Sequence, residues 1–293
     1  MSAVATTPRP APSTPAARNV RVTFPRVVRS EWLKFRTLRS TVWTVAITVV
    51  LMVGISLMFA AIVQVAASTP EMQEGMAQDP DMQAAGGLRG IFVITVGYGF
   101  AQLAIAVLGA LSITNEYSSG MIRSTFAAEP RRLPVLWAKL LVVVTVTVVL
   151  TVVALALAWL VTYPMLDANG LTADLSDPEQ VRALVGTVLY LATIAALSLG
   201  VGVLLRHTAG AIATLVAVLF VVPLIFTIAT QAGNVEWVRT VNKFLPTVAG
   251  EQVISTGPAS GDLLEPWQGF AVLAAYAVAA LVAAAAALKR RDT

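Results

Sequence analysis

The stretch LVGTVLYLATIAALSLGVGVLL (184–205), followed by Arg206, His207 and Thr208 and then by AGAIATLVAVLFVVPLIFTI (209–228), decides what kind of protein this is. Each apolar run is uncharged and about 20 residues long, enough to cross ~30 Å of hydrocarbon at 1.5 Å per residue. Read as one continuous helix, the pair would carry Arg206 in mid-membrane at a cost of several kcal/mol. A tight turn at the interface avoids that cost, so the stretch predicts two antiparallel spans.

Working outward, four more uncharged runs of similar length lie at about 42–66, 91–113, 140–163 and 268–288, giving six spans in all. Soluble core helices are rarely so long and unbroken. The composition agrees, because 57% hydrophobic and 12% charged residues leave too few ionisable groups to cover a water-soluble globule. The expected fold class is an all-α integral membrane protein. Residues 1–25 form a cytoplasmic tail, disordered by its Ala, Pro, Ser and Thr content, and 26–291 form one transmembrane domain. The first apolar run starts too late and is too long for a cleavable signal, so it is expected to be retained.

Lys and Arg counts orient the bundle. With the N-terminus inside, sixteen of the twenty fall on the inner side and four, Arg89, Arg182, Arg239 and Lys243, on the outer side. The positive-inside rule then puts both termini in the cytoplasm of a multi-pass cell-membrane protein. Because the cations sit at span ends, the net charge of +4 does not point to nucleic acid.

Before the first span, Val28, Trp32 and Phe35 recur at i, i+4 and i+7, while Arg29 and Arg36 lie on another face. This predicts an N-terminal amphipathic interfacial helix over 26–40, the alternative being a charged flank to the span. After the fifth span, Trp237, Val241 and Phe244 suggest an outer helical cap before Pro246. Between spans two and three, Ser118, Ser119 and Gly120 interrupt the helix. Met121, Ile122 and Phe126 then form a short apolar strip, and Pro130 and Pro134 close it before helix three. Such a strip either docks a partner or lies on the headgroups.

Glu116, Tyr117, Gly120, Arg123, Pro130 and Lys139 resemble the E-Y-x-x-G-x-x-R, Pro, Lys pattern of the type-2 ABC exporter (ABC-2) permeases, with Met121 and Phe126 where many members have Thr and Leu. The basic helix before span one (Glu31, Trp32, Lys34), the six spans and the enlarged segment before span six are similar to that family too. The resemblance implies a permease subunit of an ATP-driven exporter. Its loop, with Glu116 to Arg123, Phe126, Pro130 and Arg131, would be a coupling helix docked on a cytoplasmic ATPase, and a second copy or paralogue would complete a dimer. ATP and Mg would be bound by that ATPase, with no cofactor in this chain.

The residues fit an external engine. No G-x-x-x-x-G-K-[ST] loop is present, and the six predicted spans carry no Asp, Glu or His to couple to an ion gradient. There is no cysteine, and His207 is the single histidine, which rules out thiolate and His-rich metal sites, so none is expected. Paired carboxylates at depth are missing, which argues against an enzyme. Two other readings stay open: a non-transporting anchor or scaffold, and a gradient-driven channel or transporter. Thr95, Tyr98 and Gln102 form a polar stripe at i, i+3, i+7 that either lines a path or joins helices. Pro223 is expected to loosen span five, and Ser198 with Gly202 to bring span four close to a neighbour.

Overall fold

The computed structural model describes residues 23–69, 74–75, 78, 90–128, 131–233, 235–257 and 263–290, and all regular structure among them is helical. The proposed tail lies largely outside these residues, as do Arg89, Pro130 and Arg291.

Helix α1 (Phe24–Thr37) starts with a proline in its first turn and stops at Leu38, whose backbone is extended. Span 1 is α2 (Arg39–Ala67). Span 2 is α3 (Gly90–Thr95) and α4 (Tyr98–Ser118), with a turn at Val96 and Gly97. Then come α5 (Met121–Ala128), span 3 as α6 (Arg132–Ala168) and span 4 as α7 (Pro178–Leu205). Span 5 is α8 (Thr208–Val216), a π-helical turn (Ala217–Val221) and α9 (Val222–Ala232). The short helices α10 (Glu236–Asn242) and α11 (Pro246–Glu251) lead to span 6, α12 (Pro266–Arg290). Among the described residues, six helical segments are long and apolar enough to cross a membrane, at the six places read from the sequence.

The helices outrun the apolar stretches. Span 3 starts at Arg132, not near 140, because Pro134 lies in the first turn, where the missing N–H has no helical acceptor to lose. Pro134 therefore does not close the preceding loop. Span 2 likewise continues through Glu116 to Ser118. The turn between spans 4 and 5 is as tight as expected. Arg206 takes the left-handed conformation (φ 54°), and His207 caps α8, its Nδ1 accepting from the Gly210 N–H at 3.2 Å.

Span 4 is the centre of the bundle and packs on spans 2, 3 and 6, while span 1 leans on spans 3 and 2. The most apolar 18-residue window of span 4 is 67% buried, against 22% for spans 1 and 5. Those two therefore present most of their surface to lipid or to another chain. Spans 2 and 4 touch backbone to backbone. A Cβ on Gly109 would lie 2.6 Å from the Ala195 carbonyl oxygen and 2.8 Å from Ser198 Cβ, and one on Gly202 would lie 2.8 Å from Ile113 Cγ2. The Ser198 and Gly202 pattern is used in this contact, where small residues gain dispersion energy that apolar surface alone cannot supply in lipid.

The segment between spans 5 and 6 folds back onto the bundle. Arg182 at the start of span 4 donates to the carbonyls of Gln252 (3.3 Å), Val253 (3.2 Å) and Ser255 (2.9 Å). Trp237, Val241 and Phe244 face outward, while Val238 turns in.

Candidate functional site: a buried charge cluster under the short helix

Four charged side chains converge where α1, span 2 and span 3 meet, at the end of the bundle from which span 1 starts. Glu31 lies on α1 with Lys34 one turn later, Glu116 in the last turn of α4, and Lys139 two turns into α6. Lys139 Nζ lies 2.5 Å from Glu31 Oε2 and 2.6 Å from Glu116 Oε1, and also donates to the Ser112 carbonyl at 3.2 Å. Lys34 Nζ lies 2.7 Å from Glu31 Oε1 and 3.0 Å from Glu116 Oε1. Side-chain exposure is 4% for Glu31, Glu116 and Lys139 and 26% for Lys34. Two cations and two anions cancel, which is what lets this much charge leave water. Burial alone would lower the Lys34 pKa, but Glu31 and Glu116 outweigh it and hold the ammonium above its ordinary value.

The cluster is tied to the short helix α5. Gly120, at φ 71°, makes the turn that a side chain would strain, and Thr125 Oγ1 lies 3.4 Å from Lys34 Nζ. The apolar strip is split. Met121 is 38% exposed, whereas Ile122 is 4% exposed and packs in a cluster that includes Val27, Ile113, Val135 and Leu136. The expectation of Ile122 on an outward strip is corrected, because the turn at Gly120 rolls it against span 3. The side chain of Phe126 lies outside the described residues. Arg123 and Arg131 are exposed, unlike the buried members of the quartet. Tyr117 stacks under the Arg206 guanidinium, 5.3 Å from Cζ to ring centroid, linking the end of span 2 to the turn after span 4. Arg132 Nη1 donates to the Leu288 carbonyl at 2.9 Å and links span 3 to span 6.

On α1 the face that packs on the bundle is the one that carries Val27 and Glu31. Val27 and Glu31 are buried, Val28, Lys34 and Phe35 are partly buried, and Arg29, Trp32 and Arg36 are exposed. Ion pairing with Lys139 draws the Glu31 face inward, while Trp32 stays on the outward side. That Glu31 is the lone acid of a basic helix was the available clue.

Two members of the polar stripe of span 2, Thr95 and Gln102, are satisfied inside the chain. Thr95 donates to the Ile91 carbonyl (2.9 Å), and Gln102 donates to Gly99 and accepts from the Tyr190 hydroxyl at 2.5 Å. Tyr98 meets Tyr190 edge-on at 5.6 Å. Near them lies Glu251, at the end of α11, a residue the sequence gave no reason to single out. Burial pushes its carboxyl up to about 7. The folded state then binds a proton that the unfolded chain releases near the ordinary 4.5. Stability is therefore expected to be full below about pH 4.5, to fall as the pH rises, and to level off above about 7. Melting temperatures in detergent from pH 4 to 8 check this, and Glu251→Gln is expected to flatten the profile.

Six lipid-length spans around a central fourth span, with short helices at the ends, define a polytopic helical membrane protein. A family model described as ABC-2 family transporter protein matches residues 71–286, and the chain belongs to that family. Its membrane domain is thus a permease of ABC type. A comparison with curated proteins gives no match.

Proposed function

We propose that this chain is the membrane-spanning subunit of an ATP-driven exporter, in which two copies or paralogues pair and each receives a cytoplasmic ATPase on the face formed by α5 and α1. The ATPase would hold the ATP and Mg. Both termini and this face lie in the cytoplasm on this reading, supported by sixteen of twenty Lys and Arg falling on that side. The observation that carries the proposal is the charge cluster. A push on α5 is passed by Thr125 and Lys34 to α1, and through Glu116 and Lys139 to spans 2 and 3. Packed elements with discrete contacts transmit such a push as a rigid movement. Thr95, Tyr98 and Gln102 would then line or support a path between the two copies, with partly exposed Tyr98 nearest to it.

The split strip separates docking from packing. Met121→Glu is expected to place a charge at the docked face and to lower ATPase recovery in a detergent pull-down at least tenfold, with the permease still monodisperse. Ile122→Ala is expected to act differently, destabilising the permease itself by about 2–4 kcal/mol through the cavity it leaves. A pull-down from native membranes with mass spectrometry and a vanadate-sensitive ATPase assay makes both comparisons. Undiminished ATPase recovery with Met121→Glu would overturn the docking face. Reproducible absence of any ATPase would overturn the exporter reading.

A further inference from the structure

A cavity of about 320 Å³ opens beside the charge cluster, between α1, span 1, span 2 and span 3. Its mouth carries Lys34, Ser40 and Thr41, and its depth carries Leu108, Leu111 and Val143, so one end is polar and most of the wall is hydrocarbon. From Ser118 to Leu108 it follows span 2 for about 15 Å at the helical rise per residue.

Charge decides what fits. Of the four cluster side chains that touch the cavity, Glu31, Glu116 and Lys139 are 4% exposed and neutralise one another with Lys34, whose 26% exposure makes it the group that faces outward. The helix and turn leading to the mouth, residues 24–39, hold Arg26, Arg29, Lys34, Arg36 and Arg39 against Glu31 alone. Lys34 already donates to Glu31, Glu116 and Thr125, so it supplies field more than a free N–H. The Ser40 and Thr41 hydroxyls and the Asn115 amide are donors left on the lining. A soluble anion would leave the apolar depth empty, and a plain hydrocarbon would strand the hydroxyls. An amphiphile with an anionic head satisfies both, and the bilayer surrounds the chain with that chemistry.

We propose that this cavity is a discrete binding site for one anionic phospholipid of the leaflet on the side of the two termini. Its phosphate would accept from Ser40 and Thr41 in the field of Lys34, and an acyl chain would run down past Leu111 to Leu108. The cavity shares Met121 and Lys34 with the proposed docking face, but the lipid proposal does not need that reading and is tested without any ATPase.

The test is native mass spectrometry of the full chain in detergent, titrated with phosphatidylglycerol or with phosphatidylcholine of identical acyl chains. One phosphatidylglycerol per chain is expected to be retained, with about a fivefold preference or more over phosphatidylcholine. Thr44→Trp, which fills the cavity, is expected to abolish that retention. Ser40→Ala with Thr41→Val, a milder change on the half-buried start of span 1, is expected to lower it at least fivefold while the melting temperature holds. Equal retention of the two lipids overturns the proposal. So does full retention in the well-folded Ser40/Thr41 variant, or displacement of the lipid by inorganic phosphate at matched concentration.

Discussion

Lys139→Met is expected to lower the melting temperature of the purified protein by about 10 °C, the largest effect of any single charge removal in the chain. The replacement keeps the length of the side chain and deletes its charge, so packing is nearly conserved and electrostatics is not. Lys139 satisfies one oxygen of Glu31, one of Glu116 and the Ser112 carbonyl. Without it, two buried carboxylates share Lys34, and one negative charge has no counterpart. Removing one partner of a buried pair costs roughly 3–5 kcal/mol, mostly the penalty of the charge left behind. Neutralising that surplus is therefore expected to recover part of the loss, so Glu31→Gln added to Lys139→Met should melt higher than Lys139→Met alone. Arg123→Met, on an exposed residue of α5, is the comparison and is expected to change stability by no more than about 0.5 kcal/mol. Fluorescence-detected size-exclusion after heating measures all of these. A Lys139→Met protein that melts with the parent would show that the cluster does not hold α1 to the bundle.

Gly109→Val is expected to do more, abolishing recovery of monodisperse protein. The β-carbon would meet the Ala195 carbonyl oxygen at 2.6 Å and approach the Leu199 nitrogen at 3.3 Å, both of them backbone. No rotamer change relieves contact with backbone, so spans 2 and 4 would have to separate, and span 4 is the helix on which three others rest. Overpacking a core costs about 1–3 kcal/mol when side chains can yield, and here they cannot. Gly54 on span 1 is the control, since a β-carbon there has nothing within 4 Å. Gly54→Ala is expected to be neutral or to stabilise by up to about 1 kcal/mol through helix propensity. Yield and elution profile of the two variants, expressed side by side, separate the effects.

The six spans were legible because hydropathy accumulates along the chain and needs no knowledge of partners. Their ends were less so. Spans 2 and 3 continue past the apolar runs because Glu116 and Lys139 neutralise each other inside the bundle, a pairing across 23 residues that no local pattern contains. Pro134 reads as a stop only if its place in the first turn is unknown. Of the candidate site, Glu116, Tyr117 and Gly120 were singled out from a motif, while Ile122 was given the wrong exposure, because hydrophobicity marks a face without saying whether protein or lipid covers it. Glu251 was hidden for a different reason. Its segment looks like an ordinary polar connection, and only the clamp from Arg182 to the three carbonyls after it reveals that it returns to the bundle.

Span 5 carries a π-helical turn at Ala217–Val221, immediately before Pro223. Such a turn accommodates one residue more than a regular helix would, so everything beyond it is turned by about 100° relative to everything before. The two halves of this span are therefore addressed separately: Ala211, Leu215 and Leu219 choose the inward side of the first, and the extra residue chooses the side shown by Leu224, Ile225 and Ile228. Substitution scans, which keep length constant, would pass over this setting unnoticed. A one-residue deletion within 217–221 would reset it, exchanging the surface that the second half of the helix offers its surroundings without altering that half's composition.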